Sequence, residues 1–113
     1  MTNTITTINR DMAQEEIQKQ RQSVTRPVTR EPRRHKVIIL NDDFTTFEFV
    51  IEIMMTVFRK THEQACAIAE TTHINQKAVV GTYPLDIART KVAKATELAR
   101  AEGFPLKFDI QPE

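Results

Sequence analysis

Apolar positions are scattered through the first third of the chain and fall into regular periods from residue 37 onward. Val37-Ile38-Ile39-Leu40 is a short β-branched run closed by Asn41-Asp42-Asp43, a cluster of turn formers, and predicts a buried strand. Thr45-Thr46-Phe47-Glu48 reads as a capping box, with Thr45 accepting from the amide three residues on and Glu48 reaching back. In the helix that follows, Val50, Ile53, Met54, Val57 and Phe58 share one face. A second box, Thr61-His62-Glu63-Gln64, opens a helix with Ala65, Ile68, Ala69 and Thr72 on one face and an end near Asn75. Lys77–Tyr83 predicts a second strand, and Pro84 suits the first turn of a third helix, where a missing N–H has no helical partner to lose. That helix carries a narrow stripe of Ala88, Val92, Ala95 and Ala99 flanked by Ile87 and Leu98, and Gly103 is a natural C-terminal cap. Leu106, Phe108 and Ile110 alternate with polar residues as a third strand.

The order β-α-α-β-α-β predicts an α/β (α+β) fold: a small two-layer sandwich with a three-stranded antiparallel sheet packed against three helices. Residues 35–113 form this core. Residues 1–34 are polar throughout, with no aromatic residue and few aliphatics, and cannot bury enough apolar surface to offset their ordering entropy. They predict a flexible extension, with a weak helix near Asp11–Gln22.

Composition narrows the function more than it suggests one. The chain has 113 residues, room for one ordinary domain. Its 16 basic and 15 acidic residues leave a net charge of +1, which argues against a dedicated nucleic-acid binder. The charge is uneven: residues 1–36 hold eight Lys/Arg and four acids (+4), while the remainder holds eight basic and eleven acidic groups (−3). No apolar run approaches the roughly 20 residues of a membrane span, and the N-terminus lacks the apolar centre of a secretory signal. The single cysteine, Cys66, allows no intrachain disulfide and fits a reducing cytoplasm, the expected location.

Candidate chemistry is sparse. Two glycines exclude a glycine-rich phosphate loop, and His35, His62, His73 and Cys66 lack metal-ligand spacing, so neither a cofactor nor a metal is expected. Asp42 and Asp43 could be read as an acid/base pair, although adjacent carboxylates after a strand are ordinarily turn residues. His73 at a helix end is ordinarily a surface histidine. Phe44 and Phe47 read as the edge of the core, and the Arg26–Arg34 stretch as a solvated linker.

The segment Lys36-Val-Ile-Ile-Leu-Asn-Asp-Asp-Phe-Thr-Thr-Phe-Glu-Phe-Val50 resembles the signature of the ClpS family, adaptors of the Clp unfoldase–protease. The likeness continues through Ala65 and His73, Lys77–Tyr83, Ala88-Arg-Thr-Lys-Val-Ala93 and Pro105-Leu106, and spans about residues 35–113. It implies recognition rather than catalysis: capture of proteins with a free, bulky hydrophobic first residue (Phe, Tyr, Trp or Leu) and delivery to a ClpA-type AAA+ unfoldase through that partner's N-terminal domain. By the same resemblance, Asn41, Asp42 and His73 bind the α-amino group. Asp43, Thr45, Phe47, Val50, Ala69, Thr72 and Leu106 form the pocket, and Asp86, Arg89 and Lys91 lie on the unfoldase-docking face. The N-terminal extension would help delivery. A monomer acting on protein partners is implied, with no nucleic acid and no membrane.

Several positions depart from the family pattern. Phe47 and Ala69 stand where methionine is common, Thr72 replaces an aliphatic residue, and Arg89 replaces an acid. These departures suggest a divergent adaptor with altered selectivity. Gln76 stands where glycine is typical, which leaves Asn75 to take the left-handed helix-ending role. Three rival readings remain open on the sequence: a modulator that docks on the unfoldase without binding such peptides, a nucleic-acid or ribosome-associated protein using the basic N-terminal segment, and a hydrolase built on Asp42, Asp43 and His73.

Overall fold

The computed structural model describes residues 33–113, and the expected extension with its Asp11–Gln22 helix lies outside the described residues apart from Arg33 and Arg34. Six elements follow in the order β1 (Arg34–Leu40), α1 (Phe47–Thr56), α2 (His62–Asn75), β2 (Lys77–Pro84), α3 (Leu85–Ala101) and β3 (Lys107–Pro112). The sheet order is β2-β1-β3, and β1 runs antiparallel to both neighbours. The two-layer β-α-α-β-α-β architecture expected from the sequence is therefore present.

β1 is the central strand, and Val37, Ile38 and Ile39 are buried in succession along it, whereas buried and exposed residues alternate at the start of β2, and half-buried and exposed ones along β3. Val37 and Ile39 are fully buried, opposite Gly81 and Ala78 on β2 and Ile110 and Phe108 on β3. The register with β2 skips Val80, a one-residue bulge beside Gly81. A Cβ on Gly81 would lie 2.9 Å from the Tyr83 hydroxyl, so this close approach suits glycine. Helices cover the inward face. Val50, Ile53 and Met54 of α1, Ala65 and Ala69 of α2, and Ala88, Ala95 and Ala99 of α3 join Val37, Ile39, Phe58 and Leu106 in one core. Aromatic pairs close its margins: Phe49 meets Phe104 edge-on at 5.0 Å between centroids, and Phe58 lies 5.6 Å from Phe108.

Three local expectations are corrected. α1 is capped by Thr46, whose hydroxyl accepts from the Phe49 amide, and not by a Thr45–Glu48 box. Thr45 is drawn away because its own hydroxyl and amide both donate to Asp42. Pro84 is the last residue of β2 and the N-cap of α3, one position before the first turn. Gln76 itself adopts the left-handed conformation at the end of α2, with φ 72°, so Asn75 stays helical.

The second capping box is present in full: Thr61 accepts from the Gln64 amide, and the Gln64 side chain accepts from the Thr61 amide. α3 ends in a Schellman motif. The Phe104 amide donates to the Ala99 carbonyl and the Gly103 amide to the Arg100 carbonyl, with Gly103 at φ 80°. No atom lies within 4 Å of a methyl added at Gly103, so Gly103→Ala tests the backbone conformation alone. It is expected to lower the unfolding free energy by about 1 kcal/mol, measured by urea denaturation.

Candidate functional site

The site begins where β1 leaves the sheet. The Asn41 amide donates to the Gln76 carbonyl at 2.9 Å, one step beyond the Leu40–Lys77 pair, so the β1–β2 ladder continues past the strand end. The next residue turns the chain. One Asp42 carboxylate oxygen accepts from the Phe44 amide at 2.8 Å and the Thr45 amide at 2.7 Å, and the other accepts from the Thr45 hydroxyl at 2.7 Å. This Asx turn occupies three of the roughly four lone-pair positions of a carboxylate and leaves one free.

Partial burial alone would raise the Asp42 pKa. The Thr45 amide and hydroxyl, the Phe44 amide and the charge of Arg100 outweigh it and hold the carboxyl below its ordinary 3.8. Arg100 stands in the last turn of α3, where its guanidinium donates to the carbonyls of Phe104 and Leu106 at 2.9 and 2.8 Å. Nothing near Arg100 in the sequence links it to Asp42; the only local signal is a basic residue at a helix end.

Nine residues line one cavity of about 400 Å³. Asn41, Asp42, Asp43 and Thr45 come from the turn, Phe47 and Val50 from α1, and Ala69, Thr72 and His73 from α2. The three residues assigned to the amino group thus share this cavity with six of the seven assigned to the pocket. The exception is Leu106: it does not line the cavity and is instead 1% exposed in the core, just before β3. Val50 and Ala69 belong to the core cluster, so the apolar wall of the cavity is the edge of the core itself. Phe47, the first residue of α1, is 43% exposed and stands at the rim. The Thr72 hydroxyl donates to the Ile68 carbonyl at 2.7 Å, so Thr72 is satisfied within its helix and offers the cavity no donor.

The three residues that the resemblance assigned to docking all lie on α3. Asp86 and Arg89 are exposed in its first turns. Lys91 is half-buried: its ammonium donates to the Val57 carbonyl at 3.0 Å and lies 5.6 Å from the Tyr83 ring centroid. Lys91 therefore neutralises the C-terminal end of α1 rather than presenting a free charge. Among the described residues no three His, Cys, Asp or Glu side chains are grouped to hold a metal. The Cys66 sulfur approaches the His62 ring one helical turn away at 3.7 Å. No helix of the described residues is long and apolar enough to cross a membrane.

The arrangement offers an anionic and amide-lined mouth above an apolar wall, in a volume within the range of roughly 300–1,000 Å³ typical of ligand sites.

Comparison with known proteins follows the same lines. The model of the family described as "ATP-dependent Clp protease adaptor protein ClpS" matches residues 30–109. The ClpS adapter protein of Acetivibrio thermocellus is 46% identical over 84 residues, 74% of this chain and 85% of the relative. That of Neisseria meningitidis serogroup A is 48% identical over 83 residues, 74% of this chain and 81% of the relative. Among solved structures, Agrobacterium tumefaciens ClpS2 bound to L-phenylalaninamide matches with a TM-score of 0.71 and 41% identity, covering 74% of this chain and all of that one.

The Asp42 geometry carries a pH dependence. Its pKa is lower folded than unfolded, so the unfolded chain takes up the proton first as pH falls. The stabilisation is complete above the unfolded value and is lost as pH drops through the folded one. Asp42→Asn is expected to flatten the loss of thermal stability between about pH 5 and pH 2, followed by melting curves across that range.

Proposed function

Because the chain belongs to the ClpS family of Clp protease adaptors, we propose that its cavity captures the free α-amino group and bulky hydrophobic side chain of a protein's first residue, for delivery to a ClpA-type AAA+ unfoldase. The single observation that carries this reading is the cavity, which joins Asn41, Asp42 and His73 to the apolar wall of Phe47, Val50 and Ala69. The ligand of the Agrobacterium relative has the matching chemistry: phenylalaninamide has a free amino group, one aromatic side chain and an amidated carboxyl, as the first residue of a polypeptide does.

An α-ammonium brings three donors and one positive charge. Asn41 supplies an amide oxygen, His73 a ring nitrogen, and Asp42 its remaining lone pair and a full negative charge. Charge-assisted bonds of this kind contribute roughly 1.5–3 kcal/mol each, and burial of a Phe- or Leu-sized side chain adds about 1.5–3 kcal/mol. After the cost of association, affinity on the order of micromolar follows, suited to handover. An acetylated terminus loses the charge and leaves the acceptors unpaired, which gives specificity. Asp43 and Thr45 complete the mouth.

Phe47 and Ala69 set selectivity in this reading. The small Ala69 deepens the wall formed by α2, while the ring of Phe47 crowds the rim. On α3, Asp86 and Arg89 present the charges that meet the unfoldase, where exposed charges chiefly govern encounter rate and rejection of wrong partners. The basic N-terminal segment, residues 1–34, engages the unfoldase during delivery.

Fluorescence anisotropy with labelled peptides that differ only in the first residue tests the proposal. Free Phe, Tyr, Trp or Leu termini are expected to bind and acetyl-Phe to fail; equal binding of acetyl-Phe would sink the reading. His73→Ala is expected to weaken binding by about ten- to a hundredfold without changing thermal stability. Phe47→Met combined with Ala69→Met is expected to reorder the preference among first residues in the same assay, and an unchanged order would remove both from the selectivity account.

A further inference from the structure

The mouth of the cavity depends on which end of the Asn41 amide faces it. A carboxamide has one end that accepts and one that donates. An incoming ammonium needs the accepting end, because an N–H₂ group turned toward it would set donor against donor.

We infer that Gln76 is a positioning residue that sets this orientation. Its Nε2 lies 3.1 Å from the His73 main-chain oxygen, and its Oε1 lies 3.2 Å from the Asn41 Nδ2. The first contact fixes the second. A carbonyl oxygen can only accept, so the end of Gln76 that reaches His73 is the N–H₂ group. The end that reaches Asn41 is then the oxygen, which only the Asn41 N–H₂ group satisfies. The Asn41 Oδ1 is the end left for the cavity. The polarity of one helix-end carbonyl thus passes through two amides into the mouth of the site.

The same residue also holds the Asn41 main chain, through the bond from the Asn41 amide to the Gln76 carbonyl at 2.9 Å. Gln76 makes these contacts from the left-handed conformation, with φ 72°. A side chain there costs about 1 kcal/mol that glycine would avoid. In exchange the glutamine makes two side-chain bonds that glycine cannot, and both run to residues whose neighbouring atoms line the cavity.

The inference rests on the proposed capture of an α-amino group, and the experiment separates the two. Gln76→Gly relaxes the backbone and removes the relay. In the full chain, its affinity for a peptide with a free Phe terminus is expected to fall about three- to tenfold, while its thermal midpoint stays level or rises. Gln76→Asn tolerates the left-handed conformation and keeps an amide, but is one methylene short of spanning both partners; it is expected to bind as weakly as the glycine variant. Orientation ceases to matter when both ends of residue 41 accept. In an Asn41→Asp background, Gln76→Gly is therefore expected to cause no further loss, a coupling read by the double-mutant cycle. Undiminished affinity of Gln76→Gly, or the same loss in the Asn41→Asp background, overturns the positioning role and leaves the adaptor reading standing. Failure of the parent chain to bind free-amino peptides overturns that reading and this inference together.

Discussion

The structure depends on burying the inward face of one strand. β1 is hydrogen-bonded on both edges, and its Val37 and Ile39 lie fully inside the core against residues from both neighbouring strands. A sheet of only three strands has one central position, and every helix packs toward the face that this strand anchors. The ladder does not stop with the strand: Asn41 still donates to Gln76 across from it. The residue that meets the ligand's amino group in the adaptor reading is thus the last rung of the sheet. Its placement inherits the rigidity of the scaffold rather than the mobility of a loop.

One residue further on, the turn and, in the adaptor reading, ligand binding draw on the same carboxylate. Asp42 closes the turn with three hydrogen bonds, and against the upward pull of partial burial those bonds, with the charge of Arg100, hold its pKa below the ordinary value. A carboxylate that spent every lone pair on the turn would be useless as a ligand, and one that spent none would leave the turn unformed. Arg100 adds to the balance from α3: its guanidinium spans the carbonyls of Phe104 and Leu106 while its charge lowers the Asp42 pKa.

Charged residues on α3 divide by what their stems can reach. Ala88, Ala95 and Ala99 let the helix pack closely, which brings Lys91 near enough to α1 to donate to the Val57 carbonyl. Asp86 and Arg89 on the same helix remain exposed. A surface charge and a helix-end brace thus lie two residues apart in one helix and do different work.

Much of this was legible in the sequence because it is encoded within a few residues. The Thr61–Gln64 box, the alanine stripe, the Gly103 cap and the alternation of Phe108 and Ile110 each read correctly, since helical and strand periods are local properties. The cluster Asn41, Asp42, His73, Phe47, Val50 and Ala69 was legible through resemblance, and the fold brings those residues to one cavity. Other features were decided by contacts between distant segments. Thr45 and Thr46 are equivalent cap candidates until Asp42 claims the first. Leu106 sits beside the pocket residues in the family pattern, yet packing places it inside the core. Gln76 is a poor left-handed residue by propensity, yet its side chain meets Asn41, brought to it by strand pairing, and the His73 carbonyl at the helix end. The sequence by itself determined the elements and their order, because those depend on period and capping. The tertiary structure alone decided which hydrogen-bonding atoms remain free in the cavity, because that depends on partners far along the chain.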